Sequence, residues 1–152
     1  MKKIKYFFVI MAALISFQSC GFKPIYSSEN LNINFIKIDY EKNNLNKKVV
    51  RTLKNFSNPN ADKFYEVKLE TLKNRKVISK NSKGNAETYE LKITLNLDIF
   101  NEKNNFARTF VNKLNYKDNV NKFQLKQYES EVEKQILNDI IKDVLVFLSD
   151  IK

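Results

Sequence analysis

The clearest pattern in the chain is a strict alternation of apolar and polar residues over positions 88–100. The apolar residues occupy every second position: Tyr89, Leu91, Ile93, Leu95, Leu97 and Ile99. Because successive side chains of a strand point to opposite faces, this period predicts a strand with one buried face and one wet face. Positions 64–71 and 106–116 show the same period. Polar turns at 83–85 and 101–105 separate the three segments, which we therefore expect to pair as antiparallel neighbours.

Two further elements precede these strands. Residues 31–40 predict a strand whose alternation slips between Phe35 and Ile36, which indicates either a β-bulge or burial on both faces. Residues 44–56 predict a helix that Asn43 or Asn44 can cap. The apolar residues of this helix form one stripe: Leu45, Val49, Leu53 and Phe56.

The last element predicted is a long helix over 123–151. Its apolar residues recur every three or four positions: Leu125, Tyr128, Val132, Ile136, Ile140, Val144 and Leu148. The chain thus runs strand, helix, three strands, helix. The economical packing of this order is an α+β domain, in which a four-stranded, mostly antiparallel sheet carries both helices on one face (β-α-β-β-β-α).

The N-terminus has the layout of a secretory signal. Lys2, Lys3 and Lys5 precede an uncharged, mostly apolar run that is too short to span a bilayer. Ser19 supplies the small residue that a signal peptidase requires, and Cys20, the chain's single cysteine, follows it. We therefore predict that Cys20 carries a lipid anchor. The alternative is an ordinary secretory signal with an incidental cysteine.

This layout divides the chain into three parts. We expect a lipoprotein signal peptide over 1–19, a lipidated tether over 20–30 and a single domain over 31–152. The formal net charge falls from +10 to +7 because three lysines leave with the signal. An exported basic protein does not meet cytoplasmic nucleic acid, so anionic lipids, lipopolysaccharide or an acidic protein surface are the expected partners.

Several residue types needed for catalysis are missing from the sequence. There is no histidine and no second cysteine, which argues against His-based triads and Cys/His metal sites. Two glycines do not suffice for a phosphate-binding loop. We expect no enzyme activity, catalytic residue, metal or cofactor. A hydrolase remains the less favoured alternative, since Glu90 and Asp98 share one strand face, where solvated charge is the commoner explanation.

A basic segment at 73–86 is predicted to connect two strands. It carries five cations and no acid: Lys73, Arg75, Lys76, Lys80 and Lys83. Like charges on a short connection repel, so we expect this segment to be extended and mobile when free. The ordinary interpretation is a solvated hairpin tip in a lysine-rich protein.

The residues that begin the mature chain resemble a known family. The run Cys20-Gly21-Phe22-Lys23-Pro24-Ile25-Tyr26 is similar to the opening of alphaproteobacterial LptE, a lipopolysaccharide-assembly lipoprotein. The motif positions are Cys20, Gly21, Phe22, Pro24 and Tyr26. The order of the predicted elements also resembles that family's fold, with two helices on a four-stranded sheet and the long helix last.

The resemblance implies a non-enzymatic role. LptE-like proteins are anchored on the periplasmic side of the outer membrane and plug an LptD β-barrel, which inserts lipopolysaccharide into the outer leaflet. The expected partners are then an LptD-like barrel, lipopolysaccharide and the membrane, reached through the lipid anchor. In this interpretation the basic segment contacts lipopolysaccharide phosphates or acidic groups of the barrel. A lipoprotein scaffold or pilot for another outer-membrane barrel or secretion channel is the alternative.

Overall fold

The structure is a computed structural model that describes residues 32–151. This part of the chain forms four strands and two helices. In chain order they are β1 (Ile33–Tyr40), α1 (Asn44–Phe56), β2 (Lys63–Lys80), β3 (Ala86–Phe100), β4 (Asn105–Lys117) and α2 (Lys122–Asp150). The predicted signal peptide, the tether and all five motif positions, Cys20 among them, lie outside the described residues.

The four strands form one sheet in the order β1-β2-β3-β4. β1 pairs with β2 in parallel, and the other two pairings are antiparallel. A parallel pair requires a crossover connection, and α1 supplies it. The structure therefore confirms the predicted α+β fold with its β-α-β-β-β-α order and mostly antiparallel sheet.

The core lies between the sheet and the two helices. The five inward-facing residues at the centre of β3 are fully buried, with 0% exposure: Leu91, Ile93, Leu95, Leu97 and Ile99. They belong to one cluster with buried residues of both helices, such as Val49 of α1 and Ile136 of α2. Burying each of these Leu or Ile side chains stabilises the fold by roughly 1.5–3 kcal/mol. Both helices cover the same face, as predicted.

A β-bulge interrupts β1, which is the first of the two alternatives that the sequence left open. The register with β2 shifts between Phe35 and Lys37, and Ile36 at the bulge is 61% exposed. Phe35 is buried before the bulge, and Ile38 and Tyr40 pack against the core after it. The extra residue explains the slipped alternation in the sequence, because the bulge returns the later side chains to the buried face.

The first helix has the predicted bounds and a specific cap. Of the two candidates, Asn43 is the N-cap, and its side-chain oxygen accepts a hydrogen bond from the backbone N–H of Asn46 at 2.8 Å. This bond satisfies one of the donors that a helix start leaves without an intrahelical partner.

The second strand is longer than predicted, and the predicted connection over 73–86 is wrong. β2 continues to Lys80, and its second half pairs with β3, so that Lys73 lies opposite Ile93 and Arg75 opposite Leu91. The turn is confined to 81–85. Two inward positions in this half, Lys73 and Arg75, carry cations instead of apolar residues, so the alternation stops although the backbone pairing does not. Residues 73–80 thus belong to a paired strand, and only 81–85 connect it to β3.

Candidate interaction surfaces of the sheet

The β2–β3 hairpin ends in a turn that the Asn81 side chain organises. Its oxygen accepts hydrogen bonds from the backbone N–H groups of Lys83 and Asn85, both at 3.0 Å. Gly84 has a φ of 80°, a conformation that glycine adopts without steric cost. Lys80 and Lys83 are exposed here and form no ion pair with any described residue. The predicted turn at 83–85 is confirmed.

Arg75 is held in an aromatic cluster at the N-terminal end of α2. Its Nε donates a hydrogen bond to the Tyr116 hydroxyl at 2.7 Å and lies 3.3 Å from Oε2 of Glu129. The guanidinium carbon stands 3.8 Å from the centroid of the Tyr89 ring, which stacks on Tyr116. Burial raises the pKa of Tyr116, and the hydrogen bond to Glu129 adds to it, while Arg75 opposes the rise. Arg75 thus ties the hairpin to the helix layer.

Lys73 joins the same helix through two carboxylates. Its Nζ lies 2.9 Å from Glu133 and 3.3 Å from Glu129, and Lys48 of α1 also contacts Glu133 at 3.2 Å. Burial alone would lower the pKa of Lys73, but the two carboxylates outweigh it and raise the pKa. For Glu133, burial works to raise the pKa, and Lys73 and Lys48 lower it overall. These ion pairs connect α1, β2 and α2.

The five predicted contact residues therefore divide into three groups. Lys73 and Arg75 lie on the helix side of β2 and are paired with α2. Lys76 lies on the opposite, uncovered face of the sheet, and Lys80 and Lys83 lie at the tip. The sequence contained a signal for the pairing of the first group. Glu129 and Glu133 are four residues apart on α2, so their carboxylates lie on one helix face and can meet cations together.

The uncovered face of the sheet, called the open face below, carries a paired carboxylate. The Nζ atoms of Lys76 and Lys113 lie 3.0 and 2.9 Å from the carboxylate of Glu90, and the Glu90 side chain is only 8% exposed. Hydrogen bonds from Lys113 and then Lys76 lower the pKa of Glu90 against the opposing effect of burial. Three neighbouring strands are linked by this contact. Because its pKa is lowered, the Glu90 carboxyl group is ionised at neutral pH and is unsuited to the role of a general acid.

The carboxylate pair considered for a hydrolase does not assemble. Glu90 and Asp98 share the open face, but they are eight positions apart along one strand, which is roughly 27 Å. A glycosidase needs its two carboxyl groups about 5–9.5 Å apart. The described residues also contain no group of three or more His, Cys, Asp or Glu side chains that could hold a metal ion. The geometry therefore excludes this pair as a catalytic dyad.

A concave region lies at the other end of the sheet, where the chain enters the domain. Its volume is about 820 Å³, and Ile36, Phe64 and Phe100 contribute apolar side chains to it. Asn32 reaches the same end, where it accepts a hydrogen bond from the backbone N–H of Asp62 at 2.9 Å. The pocket therefore lies at the end of the sheet where the described part of the chain begins.

Solved structures share this architecture. Rare lipoprotein B from Shewanella oneidensis is 15% identical, matches 73% of this chain and 95% of its own, and gives a TM-score of 0.53. A candidate lipoprotein from Caulobacter crescentus is 11% identical, matches 80% of this chain and 91% of its own, and gives a TM-score of 0.54. At these identities the similarity concerns the fold alone. No family model and no curated protein matches the chain. Over the described residues, neither helix has the length and apolar character needed to cross a membrane.

Proposed function

We propose that this protein is an outer-membrane lipoprotein of the LptE type, which assembles with and plugs an LptD-like β-barrel for insertion of lipopolysaccharide into the outer leaflet. The observation that carries the proposal is the sheet itself. Both helices cover one face, and the other face is left open with charged and polar residues along all four strands. A polar wall, such as the lumen of a barrel, is the natural partner of that face.

The N-terminal motif and the fold support the same proposal independently. Cys20 is the predicted lipid attachment site, and an anchor there would hold the domain at the membrane surface. Cys20, Gly21, Phe22, Pro24 and Tyr26 resemble the LptE opening. The domain also has the fold of two proteins described as lipoproteins, although the sequences have diverged widely.

The hairpin tip is the proposed contact with lipopolysaccharide. Lys80 and Lys83 are exposed there, and Lys76 lies on the open face close behind them. Phosphate groups attract such lysines as point charges, each worth roughly 0.2–1 kcal/mol when exposed. Lys73 and Arg75 are already paired with the carboxylates of Glu129 and Glu133 on α2. The tip lysines take the leading role because they make no competing ion pair with the described residues.

Depletion of the protein tests this function in cells. If the barrel needs it for assembly, depletion lowers the amount of correctly folded LptD-like barrel and the amount of lipopolysaccharide at the surface. A matched strain that expresses a plasmid copy restores both. Normal barrel levels together with normal lipopolysaccharide export after depletion contradict the proposal.

A scaffold or pilot role for another barrel or secretion channel remains the second candidate. The open face supports it equally, since a mixed-charge sheet suits any polar protein wall. The identity of the protein that co-purifies from outer membranes separates the two roles. An LptD-like barrel supports the first, and a different barrel or channel supports the second.

A further inference from the structure

The open face carries its charges in an ordered arrangement. A rung, meaning a row of direct cross-strand neighbours, crosses the middle of this face and consists of Leu72, Thr94 and Val111. Leu72 and Val111 are each 51% exposed. This central rung separates the part of the face near the 81–85 turn, called the hairpin half, from the part near Asn32, called the entry half.

The hairpin half is basic. Its strand residues include four lysines and one carboxylate: Lys76, Lys92, Lys113, Lys117 and Glu90. Glu90 is already neutralised by Lys76 and Lys113. Lys92 and Lys117 are exposed and form no ion pair with residues 32–151. This half therefore presents surplus positive charge to whatever faces it.

The entry half is acidic. Its strand residues include four carboxylates and two lysines: Asp39, Glu66, Glu70, Asp98, Lys37 and Lys68. Lys37 forms an ion pair with Glu66 at 3.5 Å. Lys68 lies directly opposite Asp39 on one side and Asp98 on the other. Glu70 has no cation as a cross-strand neighbour in this register. The face thus has two poles of opposite sign along the strands.

This polarity discriminates between classes of partner. A surface that is anionic throughout, such as a phospholipid head-group layer, would attract the hairpin half and repel the entry half. A protein wall can instead carry acidic groups opposite one half and basic groups opposite the other. Across protein interfaces such complementarity governs orientation and partner choice more than raw affinity.

We infer that the open face binds a protein wall of reversed polarity, with acidic residues opposite the hairpin half, basic residues opposite the entry half, and a small or apolar residue against the central rung. This inference rests on the proposed function, since it identifies the wall as the inner surface of the barrel partner. It also fixes the orientation of the domain. Rotation by half a turn about the normal of the face would bring like charges together.

The test uses three charge variants of the full-length lipoprotein in its own outer membrane. The first variant, Lys92→Glu with Lys117→Glu, reverses the hairpin half. The second variant, Glu70→Lys with Asp98→Lys, reverses the entry half. None of these four side chains makes an ion pair within the described part of the chain, so the fold should survive each change.

The third variant combines all four changes and leaves the net charge unaltered. The readout is the amount of barrel that co-purifies with each tagged variant from gently solubilised membranes, normalised to the bait. We expect a roughly three- to tenfold drop for either double variant and a larger drop for the combined one. Lys126→Glu with Lys134→Glu, on the exposed side of α2, is the matched control and should retain full capture.

The outcomes separate the inference from the proposed function. If the unchanged protein captures the barrel and all three variants capture it equally well, the inference is overturned and the proposed function stands. If the combined variant recovers full capture, net charge and not polarity governs binding, and the inference is again overturned. If the unchanged protein captures no barrel, both the proposed function and the inference fail. Thermal melting of each purified variant verifies that the fold is retained.

Discussion

The Nε atom of Arg75 on β2 donates a hydrogen bond to the hydroxyl of Tyr116 on β4, at 2.7 Å across the intervening strand. A residue that sequence alone places at the tip of a basic connection is therefore part of the internal framework. The bond explains how a hairpin with few apolar inward residues stays against the sheet and α2.

We predict that Arg75→Gln destabilises the fold. The change removes the hydrogen bond to Tyr116 and the contact with Glu129. Because the guanidinium is partly exposed, we expect a loss of about 1 kcal/mol in the free energy of unfolding. Urea denaturation measures it. Lys80→Gln at the exposed tip is the matched control and should change stability by less than about 0.5 kcal/mol. Equal stability of the two variants would show that the cluster contributes nothing.

A second prediction concerns the fully buried Asn46, which joins α1 to β2. Its Oδ1 accepts hydrogen bonds from the N–H and hydroxyl of Thr71 at 2.8 and 2.7 Å, and its Nδ2 donates to the carbonyl of Glu41 at 2.7 Å. Asn46→Leu removes the acceptor of the N–H and the hydroxyl of Thr71, while the Glu41 carbonyl keeps only its hydrogen bond from the backbone N–H of Asn43 at 2.9 Å. We expect a loss of roughly 2–4 kcal/mol.

Chemical denaturation of Asn46→Leu beside Thr71→Val checks this expectation. Thr71→Val removes one donor but leaves the backbone bond, so it should cost only about 1 kcal/mol. If Asn46→Leu proves as stable as the unchanged protein, the amide does not hold the helix against the sheet.

Much of the fold could be predicted from the sequence because its signals are local. The alternation of β3, the slip at Phe35 and the capping Asn43 each depend on a few neighbouring residues. The second half of β2 could not be predicted, since Lys73 and Arg75 replace apolar residues at inward positions. What stabilises them is the pair of carboxylates Glu129 and Glu133, more than fifty residues away.

The candidate site was less predictable than the fold. The sequence shows the five cations as a basic cluster, but their division between α2, the open face and the tip depends on strand register. Composition alone cannot show which face a lysine occupies when the strand bounds are uncertain. The polarity of the open face is a property of four paired strands together, and it emerges only when each lysine and carboxylate is assigned to a rung.

A third prediction follows from the pKa of Glu90, which Lys113 and Lys76 lower from an ordinary value of 4.5. A carboxylate whose pKa is lower in the folded state adds stability above its unfolded pKa, and this contribution is lost as the pH falls through the folded value. The unchanged protein should therefore lose stability more steeply below about pH 4.5 than Glu90→Gln.

Thermal melting over a pH series from neutrality to about pH 3 measures this difference. Glu131→Gln on the exposed surface of α2 serves as the control, and its pH profile should follow that of the unchanged protein. Parallel profiles for Glu90→Gln and the unchanged protein would mean that Lys76 and Lys113 do not stabilise the carboxylate.

The fourth prediction is that Cys20 carries the membrane anchor. Cys20→Ala removes the only thiol in the chain. The variant should appear in the soluble fraction and should take up no labelled palmitate. The unchanged protein should stay in the membrane pellet and should be labelled. If the two proteins fractionate alike and neither is labelled, the anchor does not exist.

The most direct test of the account is affinity purification of the tagged lipoprotein from gently solubilised outer membranes, with quantification of every co-purifying protein. We expect one large β-barrel of the LptD type, in a roughly equimolar ratio that persists through size-exclusion chromatography. Recovery of the lipoprotein alone, or with a protein that is not a barrel or secretion channel, would contradict it.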